Sequence, residues 1–250
     1  MLARSAVAPS AASRFMAWLP SQCAVCRGWG EGGLCTECLA RHAAPRPRCH
    51  RCAIGLPERI PDAQPGHTAE CANCLREAPP YRSACAAVDY AFPWSRLIGA
   101  FKFRAALDLA PPLAGLLGQA VSRHGALSAD LVVPVPLSPE RQRERGMNQA
   151  WELARRVGAI LGVEARSHSL LRLVDTAHLA ALPRAERGAR IRGAFAVAPG
   201  SALRGRHVAL VDDVMTSGAT VAEASRTLLA AGAATVQVWV VARTPAPDAR

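Results

Sequence analysis

The sequence predicts an α/β domain with a mainly parallel sheet, preceded by a small cysteine-rich module. His207 to Val211 is a short apolar run of β-forming residues, as expected of a parallel strand covered on both faces. Thr235 to Val241 repeats that pattern, and between the two runs Val221, Ala224, Leu228 and Leu229 recur at helical spacing, which makes a βαβ unit. The third observation is a crowd of four Cys-x₂-Cys pairs between residues 23 and 74.

A chain of 250 residues can bury one core plus a small module, and its formal net charge of +11 favours phosphate-rich partners. Of its 30 basic residues only Lys102 is a lysine. Residues 1–20 form an arm carrying Arg4 and Arg14 and no acid, which reads either as a targeting peptide or as an amphipathic turn through Phe15, Met16, Trp18 and Leu19. No run reaches the length of a transmembrane helix, and the chain is placed in the cytoplasm.

The pairs Cys23/Cys26, Cys35/Cys38, Cys49/Cys52 and Cys71/Cys74 have the spacing that puts two thiolates on one tetrahedral ion. Four pairs supply two zinc ions, most simply with consecutive pairs sharing a site, and filled sites of this kind are structural. A disulfide scaffold fits less well, because nine cysteines is an odd number and no secretory signal precedes them. The ninth, Cys85, reads as a buried strand residue. Pro79-Pro80 marks the boundary, giving a module over 21–78 and a larger domain over 79–250.

In the larger domain Ser83 to Phe92 reads as a strand, and Lys102 beside Arg104 reads either as chance or as an anion contact. Leu113, Leu116, Leu117 and Val121 predict a helix. Leu131 to Val135 is a second buried strand that breaks into the loop Pro136-Leu137-Ser138. The turn after it carries Arg141, Arg143 and Arg145, suited to gripping phosphate oxygens, and Leu153, Val157, Ile160 and Leu161 continue as a helix.

The strand at Val211 stops at Asp212-Asp213, and Thr216-Ser217-Gly218-Ala219-Thr220 then opens a helix whose start a capping box at Thr220 and Glu223 would fix. Hydroxyls, small residues and free helix amides suit a phosphate. Two carboxylates beside it would repel it unless they accept hydrogen bonds from vicinal hydroxyls, so the ligand that satisfies both is a sugar phosphate. A Walker A loop is absent, since the chain has no Gly-Lys dipeptide, and the glycines from Gly28 to Gly33 match a dinucleotide pattern without the strand it needs.

The run Val208–Val211, Asp212-Asp213 and Thr216–Thr220 resembles the phosphoribosyl pyrophosphate (PRPP) motif of type I phosphoribosyltransferases. That resemblance implies that Asp212 and Asp213 hold the ribose 2′- and 3′-hydroxyls and that Thr216, Ser217, Gly218, Ala219 and Thr220 cradle the 5′-phosphate. Pro136, Leu137 and Ser138 resemble the pyrophosphate loop. With Arg141-x-Arg143-x-Arg145-Gly146-x-Asn148-Gln149 and the cysteine module, the chain from Cys23 to Arg243 looks like the ComF family of competence-associated proteins, which join a double zinc ribbon to a phosphoribosyltransferase-like domain.

The resemblance implies PRPP bound with Mg²⁺, with Asp212, Asp213, Arg141, Arg145 and Lys102 as catalytic groups and transfer to a nitrogen acceptor. It also implies a flap over the substrate, covering Arg172 to Leu179 and Arg184 to Arg192, where Leu179 stands in place of the family's usual glutamine. The competing expectation is a non-catalytic competence or regulatory protein that binds single-stranded DNA or DNA-uptake proteins. Aromatics at 5% of the chain do not form a stacking platform, which weakens direct strand binding.

Overall fold

The computed structural model describes residues 21–30, 32–57, 69–125, 129–174 and 191–246. The chain divides into two compact units, one ending at Ala44 and the other running from Pro45 to Arg250. The first holds a short antiparallel hairpin, β1 (Ser21–Gln22) with β2 (Trp29–Gly30), and helix α1 (Thr36–His42). Cys35 caps that helix, its thiol accepting from the amide of Cys38.

The second unit holds the second cysteine group as well as the sheet, whereas the sequence alone places all four pairs in one module. Polar contacts explain the difference. The carbonyl of His50 accepts from the amide of Ala84 at 3.0 Å, and Arg48 pairs with Asp89 at 2.8 Å, which fastens the segment Cys49–Cys52 to the strand Ser83–Asp89. The short helix α2 (Ala72–Arg76) carries Cys74.

The sheet comprises β3 (Ser83–Asp89), β4 (Leu131–Pro134), β7 (His207–Met215) and β8 (Thr235–Arg243), in the order β3-β8-β7-β4, with every neighbour parallel. Alternation along the strands builds two apolar faces. Val208, Leu210, Val236, Val238, Leu131 and Val133 join one core with Val221, Ala224 and Leu228 of helix α7 (Ala219–Ala230). Helices α4 (Ala110–His124) and α6 (Gln149–Leu161) pack on one another and on the sheet, burying Leu113, Leu117, Leu153 and Val157. Helix α3 (Trp94–Phe103) follows β3, and helix α5 (Pro139–Arg145) follows β4. A separate antiparallel pair, β5 (Leu170–Arg172) with β6 (Phe195–Val197), stands outside this sheet.

Three local expectations change. Strand β7 runs on past Val211, because β8 stays in register with it as far as Met215 opposite Arg243, while β4 stops at Pro134 opposite Val211. The two carboxylates therefore lie within β7 where it has lost one neighbour. Helix α7 begins after Gly218, whose φ of 84° suits glycine, so Thr220 lies inside the helix and Glu223 instead accepts from the amide of Gly193 at 2.8 Å. The arginine turn is a helix, started by the Ser138 cap and Pro139 and ended by Gly146 at φ 69°. The segment 175–190, with Thr176, Leu179, Arg184, Arg187 and Arg190, lies outside the described residues. Among the described residues, no helix is long and apolar enough to cross a membrane.

Candidate functional site

A cavity of about 1000 Å³ opens at the C-terminal edge of the sheet. One wall is the end of β7 and the start of α7, contributing Asp212, Asp213, Thr216, Ser217, Ala219 and Thr220. The first-turn amides of a helix have no partner within it, so this wall presents donors next to carboxylates. Ser217 Oγ accepts from the amide of Ala219 at 3.3 Å, which holds the loop tight at the helix entry.

The facing wall comes from the loop after β4 and from α5. Arg141 and Arg145 are four residues apart on one helical face and both line the cavity, while Arg143 is exposed and pairs with Glu140 at 3.6 Å. Asn148 braces this wall: its amide nitrogen donates to the carbonyl of Val135 at 3.2 Å, and its oxygen caps α6 by accepting from Ala150 N at 2.9 Å. Gln149 links two further parts, donating to the carbonyl of Lys102 at 3.4 Å and accepting from Arg145 at 3.2 Å. The Arg145 guanidinium also lies 5.0 Å above the Phe103 ring.

Lys102 Nζ sits 2.8 Å from Asp213 Oδ1, with the lysine side chain 19% and the aspartate side chain 8% exposed. Burial works to lower the Lys102 ammonium, but Asp213 and Asp212 outweigh it and hold the group above the ordinary lysine value. The carboxyl of Asp212 is pushed up to about 7, first by burial and then by the charge of Asp213, against the pull of Lys102. Burial holds the Arg145 guanidinium below its usual value, with Asp213 acting in the opposite sense. Five cations (Lys102, Arg104, Arg141, Arg145, Arg172) face three carboxylates (Glu144, Asp212, Asp213) around the cavity, so it suits an anion that also carries hydroxyl donors.

Away from the cavity, the cysteines gather as Cys23, Cys26, Cys35, Cys38 and as Cys49, Cys52, Cys71, Cys74, with all sulfurs of each group within 4.8 Å of one another. Cys26 and Cys35 Sγ are 3.7 Å apart, as are Cys52 and Cys71 Sγ. That spacing is close to the edge of a tetrahedron with metal–sulfur bonds of about 2.3 Å. Backbone amides point at the sulfurs, Cys35 N at Cys23 Sγ and Cys71 N at Cys49 Sγ, which favours the thiolate form. Each group could hold one metal ion, and consecutive pairs share a site.

The DNA utilization protein YhgH of Salmonella typhimurium is 33% identical to this chain over 239 residues, covering 92% of this chain and 100% of the relative. The protein of the same name from Escherichia coli is 34% identical over 236 residues, with the same coverage. Competence protein F of Haemophilus influenzae is 31% identical over 230 residues, 89% of this chain and 96% of its own. The chain belongs to the ComF family. No family model matches this ComF protein. Among solved structures it is similar to the glutamine phosphoribosylpyrophosphate amidotransferase of B. subtilis, at 21% identity and a TM-score of 0.34, over 50% of this chain and 25% of that one. It is also similar to the hypoxanthine phosphoribosyl transferase of Trypanosoma cruzi, at 13% identity and a TM-score of 0.33, over 58% of this chain and 75% of that one.

Most of the residues expected at the site line this one cavity of the ComF protein: Lys102, Pro136, Leu137, Arg141, Arg145, Asp212, Asp213, Thr216, Ser217, Ala219 and Thr220. Ser138 and Gly218 do not. Ser138 is fully buried and caps α5, and Gly218 supplies the left-handed residue before α7. Tyr90 and Phe103 are wall residues that the sequence does not single out as ligands, and nothing in their local patterns distinguishes them, while Arg172, the first residue of the expected flap, also lines the cavity.

Proposed function

We propose that this protein binds PRPP with Mg²⁺ in the cavity and transfers its phosphoribosyl group to a nitrogen acceptor, in a role linked to DNA uptake or use. The observation that carries the reading is the meeting of Asp212-Asp213 and the α7 entry on one wall with Arg141 and Arg145 on the other. In this reading the amides of the 216–220 loop take the 5′-phosphate, the two carboxylates take the ribose hydroxyls, and the arginines of α5 take the pyrophosphate.

Bound Mg²⁺ would neutralise charge on the leaving pyrophosphate, near the carboxylates of Asp212 and Asp213, whose oxygen chemistry suits it. The chain's own share is positioning and electrostatics. Lys102 pairs with Asp213 and fixes the position of its side chain, and Arg145, set by Gln149 and Phe103, faces the negative charge that grows as the C1′–oxygen bond breaks. Tyr90 and the exposed ring of Phe103 leave an apolar stretch of wall for a planar acceptor. The two cysteine groups hold one structural zinc ion each.

A second reading has support in the relatives' names, which speak of DNA utilization and competence and of no reaction. In it the same fold binds phosphosugar or single-stranded DNA without turnover. Pyrophosphate release from PRPP, measured with a panel of nucleobases beside salt-dependent DNA binding, separates the two. Release that depends on both acceptor and Arg145 supports transfer. PRPP binding without release under any acceptor supports the non-catalytic reading.

Metal analysis of protein made under reducing, zinc-replete conditions should give two zinc ions per chain. Cys35→Ser should lose one of them and loosen the first unit, leaving the unit from Pro45 folded because it has its own sheet and core. Paired cysteines found oxidised in such a preparation would overturn the assignment.

A further inference from the structure

Arg243, the last residue of β8, is 4% exposed and forms none of the ion pairs among the described residues. A buried guanidinium without a carboxylate is costly unless carbonyl oxygens satisfy it. Four do. Nε donates to the carbonyl of Cys52 at 2.9 Å, and Nη1 donates to the carbonyls of Met215 at 3.0 Å, Thr244 at 3.0 Å and Thr216. One planar fork thus joins the second cysteine group to the loop at the end of β7.

The direction of these bonds has a consequence for the loop. In a trans peptide the carbonyl and the following N–H point opposite ways. With the carbonyls of Met215 and Thr216 turned to Arg243, the amides of Thr216 and Ser217 point away from it, and both residues line the cavity. The Met215 carbonyl accepts from the amide of Thr244 as well, at 3.0 Å, so the loop is held from β8 at two points. A second seam runs alongside, where Tyr81 Oη reaches Met215 Sδ at 3.9 Å. Between them a groove has Cys52, Cys71 and Cys74 on one side and Ser217 and Gly218 on the other.

We propose that Arg243 is a positioning residue through which the metal state of Cys49, Cys52, Cys71 and Cys74 sets the amide directions of the 215–218 loop and hence its affinity for a phosphate. Loss of the ion frees the Cys49–Cys52 turn, the Cys52 carbonyl leaves Nε, and the fork loses the anchor that keeps the loop carbonyls turned inward. A lysine could not replace it, since a single ammonium has no planar fork to bridge carbonyls on both sides. The affinity half of this proposal rests on the reading of the loop as a phosphate site; the coupling itself does not.

The test uses the full chain and two readouts: hydrogen exchange of the 215–218 amides without ligand, and calorimetry with PRPP and Mg²⁺. Cys71→Ser should speed exchange in the loop about tenfold and weaken PRPP by a similar factor, in the usual range for coupled sites, whereas Cys26→Ser, in the other unit, should leave both within about twofold. Arg243→Lys should reproduce the loop effect while two zinc ions stay bound, and it keeps the test decisive if Cys71→Ser does not fold. Exchange in α6 serves as the control for global loosening. Equal effects from Cys71→Ser and Cys26→Ser, or an Arg243→Lys loop that exchanges as in the wild type, would overturn the coupling. Wild-type protein that takes up no PRPP would sink the phosphate reading instead, and the exchange arm would still decide the role of Arg243.

Discussion

Saturating PRPP with Mg²⁺ should raise the melting midpoint of the wild-type protein by about 5–10 °C. A ligand at about 100 times its dissociation constant stabilises the native state by roughly 2.7 kcal/mol, and in a unit of this size each kcal/mol moves the midpoint by about 2–4 °C. The loop variant that tests the phosphate contact is Ser217→Leu, because Ser217 lines the cavity and a branched apolar side chain there would occupy the phosphate's place. Gly218 is the wrong position for this purpose. Its φ of 84° would strain any side chain by about 1 kcal/mol or more, and a lower midpoint would then report backbone strain rather than lost binding. Ser217→Leu should keep the ligand-free midpoint within a few degrees and lose most of the PRPP shift. A wild-type melting curve that PRPP leaves unmoved, with no heat in calorimetry, would remove the site assignment.

The βαβ unit around Asp212-Asp213, the two cysteine groups and the loop after Pro134 are legible in the sequence because each is built from residues close together in the chain. Spacing alone brings Cys49 to Cys52, or Asp213 to Thr216. What the sequence hides is of two kinds. Lys102 reads in the sequence either as chance or as an anion contact, and in the fold it pairs with Asp213, a residue far along the chain that only tertiary structure brings near. Arg243 likewise sits at the end of an apolar strand, where nothing local marks it as a bridge to Cys52 and Thr216. The second kind is a local signal outcompeted by another. Thr220 and Glu223 have the spacing of a capping box, but the left-handed Gly218 starts α7 earlier and Glu223 is taken up by Gly193 and Arg226. Ser138, Pro139 and Gly146 are ordinary helix start and stop signals, masked by the density of arginine between them.

The two carboxylates should behave oppositely once their charges are removed one at a time. Asp213 faces Lys102 at 2.8 Å, and both side chains are largely buried, so Asp213→Asn leaves the ammonium with only Asp212 for a counter-charge. A loss of about 2–3 kcal/mol is expected, somewhat below the range for a fully buried pair broken on one side. Asp212 is in the other situation: burial and its neighbour raise its carboxyl to about 7. A carboxyl whose folded value lies above its unfolded value binds protons more readily when folded, so its favourable contribution is complete below about pH 4 and is lost as pH rises through about 7. At pH 8 the ionised Asp212 therefore costs stability, and Asp212→Asn removes that cost while its side-chain oxygen can still accept from the Asp213 amide, now 2.8 Å away. Part of the gain is offset because Lys102 loses one of its two counter-charges, leaving about 1–2 kcal/mol. Thermal unfolding at pH 8 should then show Asp212→Asn above the wild type and Asp213→Asn below it, and at pH 5 the Asp212→Asn advantage should shrink toward zero. Both variants should lose most of the PRPP shift, since each replaces a carboxyl acceptor of a ribose hydroxyl with a weaker amide. If Asp212→Asn melts below the wild type at pH 8, Asp212 is an ordinary stabilising carboxylate, and the assignment of a strained, ligand-directed acidic pair fails.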